Sequence, residues 1–240
     1  MQGQTSDAAA LDAADRAALT TSALFAALEP GLARELLAPA RVHGHEAGQL
    51  IFCEGDRADA LYVVIEGWVK LYRLTPSGEE AIVGAFTRGE SFAEPVFFLG
   101  GGYPASAEAA SRARLLRIDA ARFGAAIERR PELASAILAS IVFHTERLSA
   151  EIASLKLLST PRRLADFLAR SSREGAERAE IVLPHEKTLL AGRLGMTPES
   201  LSRALAALRA VGVSVQRDRI VVADLEALRA FARSSRRGAA

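Results

Sequence analysis

Cysteine is almost missing from this 240-residue sequence: Cys53 stands alone. One thiol forms no intrachain disulfide, and it cannot supply an iron–sulfur cluster or a Cys-based zinc cage. Long apolar runs are missing too. No stretch approaches the roughly 20 apolar residues of a bilayer-spanning helix. Residues 1–20 are Ala-rich and carry Asp7, Asp12 and Asp15, without the basic-then-apolar order of a signal peptide. A soluble, cytoplasmic protein with no membrane partner is expected. The signatures of catalysis are also lacking. No nucleophile sits with a base, no ligand spacing suggests a metal, and no Gly-rich phosphate loop opens a helix. A non-enzyme is expected.

Half of the residues are hydrophobic, so two small domains with real cores can be built. Charge is balanced overall but not along the chain. Residues 1–155 hold 14 Lys/Arg against 20 Asp/Glu, whereas residues 156–240 hold 16 against 9. An acidic front and a basic back suggest that the back meets a polyanion such as double-stranded DNA.

Residues 1–20 are expected to be a flexible segment, although helical spacing starts near Asp12 and continues through Leu24, Phe25 and Leu28. Pro30-Gly31 breaks that pattern, and a short helix over 32–37 follows. From Arg41 to Ile118 short β-rich runs alternate with turn signals. Leu50-Ile51-Phe52, Leu61 to Ile65 and Trp68 to Tyr72 are the runs. Gly48, Gly55, Gly67, Gly78, Gly89 and Gly100 to Gly102 are the punctuation. This texture indicates a small antiparallel barrel or sandwich. A helix over 120–158 follows, broken near Arg130-Pro131. Its second part places Ala134, Leu138, Ile141, Thr145, Leu148, Ile152 and Leu155 at alternating spacings of four and three. That is a coiled-coil seam, so a homodimer is expected; the competing reading is a helix packed on its own barrel.

Ser159-Thr160-Pro161 marks a domain boundary, with Thr160 expected as the cap of a helix over 162–171. A strand is expected over 180–183. Two further helices fall within 184–210. The first covers about 185–194 and ends at Gly195; Thr197 caps the second and Pro198 begins it. Ala191, Gly195 and Leu201 have the spacing of a helix-turn-helix, with Leu205 as a second anchor. Pro198, Glu199, Ser202 and Arg203 share the outer face near the start of the second helix, the part that reaches base edges in the major groove. Arg203 suits guanine and Glu199 suits a cytosine amino group. Thr197, Ser200 and Arg193 are candidates for the phosphate backbone. So are Arg217 and Arg219, at the tip of an expected β-hairpin wing over 213–222. A solvated i,i+4 ion pair would show the same Glu199/Arg203 pattern. The proline break, the Thr cap and the basic surroundings favour DNA.

These motifs together resemble the Crp/Fnr family of transcription regulators over nearly the whole chain. The resemblance is carried by Phe52-Cys53-Glu54-Gly55-Asp56, Tyr62 to Gly67, Lys70 to Arg73, Gly89 to Glu94 and Pro198 to Arg203. It implies an α+β fold: a cyclic-nucleotide-binding-like antiparallel β-roll with flanking helices over 21–130, a dimerisation helix over 131–158, and a winged helix-turn-helix over 159–240. It implies RNA polymerase as a partner. The Glu199-x-x-Ser202-Arg203 pattern is similar to the Fnr-type reading head, whose half-site is TTGAT in a palindrome with ATCAA. Within the family, Tyr72 to Glu79, Phe92 to Glu94 and Leu190 to Gly192 are closest to denitrification regulators that answer nitric oxide.

Family members that bind cyclic AMP use a Gly-Glu pair and an Arg-Ala-Ala-Ser/Thr stretch. Here Glu94 follows Ala93, and the second stretch reads Gly102-Tyr103-Pro104-Ala105-Ser106, without arginine. A buried phosphodiester lacking a cationic partner is costly, so cyclic AMP is not the expected effector. The resemblance leaves haem as an option, with His43, His45, His144, His185 and Cys53 as ligand candidates. Phe92, Glu94, Tyr103, Ser106 and His144 are the expected effector-pocket residues. A ligand-binding module that regulates a protein partner is the alternative to a DNA-binding regulator.

Overall fold

In the computed structural model the described residues are 11, 12, 15, 16, 19, 22–26, 28–37, 40–93, 101–172, 176–184 and 186–233; within them the side chains of 23, 24, 35, 36, 136, 140, 144, 147 and 151 are not described. The chain divides into two compact units, residues 1–147 and 148–240.

The first unit opens with α1 (Ala23–Ala26) and α2 (Pro30–Leu37). Pro30 does not merely break the preceding helix. It starts α2, because its missing N–H would be unpaired in a first turn anyway. Eight strands follow: β1 (Arg41–His45), β2 (Leu50–Phe52), β3 (Ala60–Glu66), β4 (Trp68–Leu74), β5 (Glu80–Thr87), β6 (Ser91–Phe92), β7 (Ser106–Ala109) and β8 (Ala113–Asp119). They form two four-stranded antiparallel sheets, β1-β8-β3-β6 and β2-β7-β4-β5. This is the expected β-roll. After it come α3 (Ala120–Arg129), capped by the Asp119 carboxylate, and α4 (Glu132–Leu157).

β3 shows why its sequence is an unbroken apolar run. Leu61, Val63 and Ile65 point into one core with Leu116, Ile118, Phe123, Leu133 and Ile137. Tyr62 and Val64 point into a second core with Phe52, Val69, Phe92, Tyr103 and Leu115. A strand covered on both faces needs apolar residues on both.

The expected free segment over 1–20 is corrected in its second half. Leu11 and Leu19 are buried in the first core. Asp15, only 1% exposed, meets Arg114 Nη2 at 2.8 Å. Residues 1–10 lie outside the described residues.

The second unit contains α5 (Thr160–Arg170), β9 (Ala179–Val182), α6 (Lys187–Arg193), α7 (Pro198–Leu208), a 3₁₀ turn (Arg209–Val211), β10 (Val213–Gln216), β11 (Arg219–Val222) and α8 (Leu225–Arg233). The sheet order is β10-β11-β9. Ser159, not Thr160, is the cap residue of α5, and Pro161 sits inside its first turn. α8 was not expected from the sequence. Its signals are the Asp224 side chain, which accepts from Ala227 N at 2.8 Å, and the buried Leu225 and Leu228. The unit boundary falls inside α4 rather than at 159, because Leu133 and Ile137 belong to the first core.

Two of the positive-φ positions in the roll have opposite consequences. Gly67 (φ +86°) joins β3 to β4, and an added Cβ would stand 2.2 Å from the Arg112 carbonyl oxygen. Ala93 adopts φ 70°, where a side chain costs about 1–2 kcal/mol. Ala93→Gly is therefore expected to raise the melting temperature of the first unit by about 3 °C, the equivalent of about 1 kcal/mol. Gly67→Ala is expected to lower it by much more, because only backbone could give way. Thermal unfolding followed by circular dichroism checks both signs.

Candidate nucleic-acid interface and effector region

α7 is built to present one face. Leu201, Ala204, Leu205 and Leu208 are buried, which leaves Pro198, Glu199, Ser202 and Arg203 exposed on the other side. The expected cap is present: Thr197 is extended and its hydroxyl accepts from Ser200 N at 3.3 Å. Arg203 Nη2 donates to the Ser200 hydroxyl at 3.1 Å, and the Ser202 hydroxyl donates to the Pro198 carbonyl at 3.0 Å. The Glu199 carboxyl is held below its ordinary pKa by its own backbone N–H, the Thr197 hydroxyl and the Arg203 charge. It is thus a charged acceptor at the positive end of a helix.

The turn before α7 rests on the expected Gly195, on Leu155 of the heptad stripe, and on Arg163, which the sequence does not single out. Gly195 has φ +59°, and a Cβ there would stand 2.3 Å from Leu155 Cδ2. Arg163 donates through Nη1 to the Leu155 carbonyl and through Nη2 to the Gly195 carbonyl, each at 3.2 Å. Leu155 therefore seats on the helix-turn-helix turn, and only part of it is left to the expected dimer seam. Arg163 is 32 residues from Gly195, and no local pattern pairs them.

The backbone candidates divide. Arg217 is exposed at the hairpin tip, with φ 52°. Arg219 is not at the tip: it pairs with Gln216 and Val182, and its Nη1 lies 3.6 Å from Glu180. A two-residue turn leaves room only for Arg217 and Asp218, so the sequence expectation is corrected there. Arg193 is half-buried, its guanidinium carbon 5.3 Å from the Phe167 ring centre.

In the first unit the expected effector residues are scattered. Phe92 and Tyr103 are 1% and 3% exposed. Tyr103 stacks on Phe52 at 3.6 Å between ring centres, and Tyr62 stacks on Phe92 at 5.3 Å. The Tyr103 hydroxyl donates to the Ala60 carbonyl at 2.9 Å, and burial raises its pKa, so it is a neutral donor. Ser106 accepts from Glu54 N at 2.9 Å. Among the described residues Phe92 and Tyr103 thus pack into the core between the sheets, where a Tyr ring brings apolar surface that the interior buries. Glu94, His185 and the His144 side chain lie outside what is described.

Three of the haem-ligand candidates, His43, His45 and Cys53, lie within the described side chains. His43 and His45 are half-buried on the outer face of β1, and Cys53 is exposed in a turn. His45 Nδ1 is buried without a hydrogen-bond partner, and burial lowers its pKa. These groups offer ligand atoms, and His43 lines a surface concavity of the roll.

Comparison with known proteins assigns both units. The cyclic nucleotide-binding domain model matches residues 43–130, and the Crp-like helix-turn-helix domain model matches residues 162–231. The Nitrogen fixation regulation protein FixK of Bradyrhizobium diazoefficiens is 30% identical, over 81% of this chain and 83% of that protein. The chain belongs to the Crp/Fnr family of transcription regulators. A CRP-like cAMP-activated global transcriptional regulator of Mycobacterium tuberculosis is 26% identical, over 90% of this chain and 98% of that protein. A solved structure from Ruegeria pomeroyi, described as a candidate cyclic nucleotide binding protein, is 40% identical with a TM-score of 0.81, over 92% and 98% of the two chains. DNR from Pseudomonas aeruginosa is 29% identical with a TM-score of 0.53, over 92% and 99%. This Crp/Fnr chain is a DNA-binding regulator and not an enzyme.

The Gly195 turn yields a coupled prediction. Gly195→Ala is expected to destabilise the second unit by about 2 kcal/mol, from the left-handed backbone and the collision with Leu155 together. Leu155→Ala in the same chain should recover the steric share, so the double-mutant cycle should close with a coupling of about 1 kcal/mol. Urea denaturation of the four proteins measures it.

Proposed function

We propose that this Crp/Fnr regulator works as a two-fold dimer that reads a TTGAT-like palindrome through the N-terminal end of α7. The observation that carries the reading is the exposed face of α7, where Glu199, Ser202 and Arg203 stand out from a capped, core-anchored helix. Arg203 would release Ser200 and make a bidentate contact with guanine O6 and N7. Glu199, already ionised, would accept from the opposite cytosine amino group. Ser202 would lie near a thymine. Thr197 and Arg217 would meet phosphates and set register without reading sequence.

Dimerisation is supported by α4. Leu138, Ile141, Leu148 and Ile152 are 45–61% exposed and follow the heptad seam. The Thr145 hydroxyl donates to the Ile141 carbonyl at 2.9 Å, which removes the polar cost of burying that position. A second copy of the same stripe is the self-complementary cover. Pairing would place two α7 helices about 34 Å apart, one turn of DNA.

A small effector would bias this arrangement, with RNA polymerase as the downstream partner. Cyclic AMP is a poor candidate: the aromatic stack of Phe52, Tyr62, Phe92 and Tyr103 occupies the interior, and no arginine stands in the Gly102 to Ser106 stretch. Haem with nitric oxide rests on the branch resemblance and on likeness to DNR alone.

Fluorescence anisotropy on TTGAT-palindrome and scrambled duplexes tests the reading. Arg203→Ala should lose about 1–3 kcal/mol, confined to the guanine position. Arg217→Ala should weaken both duplexes alike and flatten the salt dependence. Full discrimination retained by Arg203→Ala would return the protein-partner module as the better account. Ile152→Lys should shift sedimentation from dimer to monomer and weaken palindrome binding at least tenfold; an unchanged dimer would overturn the seam.

A further inference from the structure

A cavity of about 620 Å³ opens on the outside of the first unit, between β1, β8 and α3. Arg41, His43, Arg117, Arg122 and Arg129 line it, with Asp119. Strand alternation sends Val42 into the core and leaves Arg41 and His43 on the outer face. Antiparallel register sets Arg41 directly opposite Arg117. Like charges at paired strand positions repel. α3 adds Arg122 and Arg129, seven residues apart on one side of the helix, with Ala125 and Ala126 between them. Four guanidiniums from three elements therefore converge on one concavity.

Their partners leave the charge in excess. Asp59 and Asp119 both approach Arg117, at 2.8 and 3.9 Å. Asp119 also accepts from Arg122 N at 2.9 Å as the helix cap. Arg41 donates to the Ala40 carbonyl and Arg129 to the Ala125 carbonyl. None of the ion pairs among the described residues engages Arg41, Arg122 or Arg129. The half-buried Arg117 lies beside Ile118 and Phe123, core residues at the cavity floor, and the exposed Ala125 gives the cavity apolar surface. A concave, cationic site with an apolar wall suits a small organic molecule with clustered negative charge better than a flat acidic protein surface.

We propose that this cleft binds an organic anion carrying two or more carboxylate or phosphate groups, and that it is an effector site separate from the interior of the roll. The proposal deepens the reading of residues 1–147 as the sensing unit. Arg41 and Arg117 form the strand side of the site, and Arg122 and Arg129 the helix side. Bound anion relieves the Arg41–Arg117 repulsion, so the liganded sensor is the more stable one.

Isothermal titration calorimetry of the full chain with citrate and with inorganic pyrophosphate tests this and separates the two anion chemistries. One saturable site per chain for at least one probe is expected, together with a rise in melting temperature. Arg122→Ala combined with Arg129→Ala should weaken that binding at least tenfold. Both side chains are exposed, so the variant is expected to fold, and circular dichroism checks that it does. Arg73→Ala, whose guanidinium pairs with Glu54 at 2.8 Å elsewhere on the roll, should bind like wild type. Two outcomes overturn the proposal: no saturable binding of either probe, or equal binding by the double variant, which would be general attraction to a basic surface. Palindrome binding measured without probe stays intact in either case if the function above is right, so the two readings fail separately.

Discussion

Strand β3 has no solvent face, and both cores of the sensing unit depend on that. Its odd residues, Leu61, Val63 and Ile65, hold the flanking helices. Its even residues, Tyr62 and Val64, hold the second sheet. A register slip of one residue would exchange the two sets and put the Tyr62 hydroxyl among aliphatic side chains. Gly67 guards against the slip. It ends β3 at a place where the Arg112 carbonyl leaves no room for a side chain. The Thr87 hydroxyl donates to the Gly67 carbonyl at 3.0 Å, and Trp68 N donates to the Ser111 hydroxyl at 3.0 Å, so the buried turn keeps its polar groups satisfied.

Because β3 is shared, the interior of the roll has little freedom to change. Phe52, Tyr62, Phe92 and Tyr103 stack in the space between the sheets. Opening a ligand chamber there would break the Tyr103 bond to Ala60 and unstack the rings, in a core packed at the density of a crystal. A sensor with a filled interior receives its signal more easily at its surface.

The architecture was legible because it is written in local signals. Short β-rich apolar runs and glycine turns marked the roll. Pro131 marked the joint between α3 and α4. Thr197 and Pro198 marked the start of the reading helix, and their cap geometry is that of the structure. What the sequence hid is pairing over distance. Arg41 and Arg117 are neighbours only through the β1–β8 register, and Arg163 reaches Gly195 only through the fold. Arg219 was misplaced by two residues of hairpin geometry. α8 was legible in principle, since Asp224 caps a strongly amphipathic run that buries Leu225 and Leu228 on one face. The effector was the least legible part. A pocket is a property of side-chain packing, and the burial of a residue such as Tyr103 follows from the fold and not from its neighbours in sequence.

The cationic cleft also lies where a signal can be used. Its helix side is α3, whose opposite face puts Phe123 and Ala126 in the core with Leu133 and Ile137 of α4. The two helices are joined by two residues, Arg130 and Pro131, and Arg130 N still bonds to the Ala126 carbonyl at 2.9 Å. A proline there cannot continue the ladder, so α3 and α4 keep separate axes while sharing one packed surface. An anion that draws Arg122 and Arg129 toward Arg41 and Arg117 therefore acts on α3 as a whole. Close-packed Phe123 passes any displacement to Leu133 and Ile137, since a packed core moves between discrete arrangements and does not deform smoothly. The residues next along α4 are Leu138 and Ile141, the first exposed positions of the seam. A ligand shifts such an equilibrium only by binding one arrangement better. Four guanidiniums facing only two carboxylates, with two of the four carried by α3, supply that difference, because their repulsion and their grip on a shared anion change together as the helix moves.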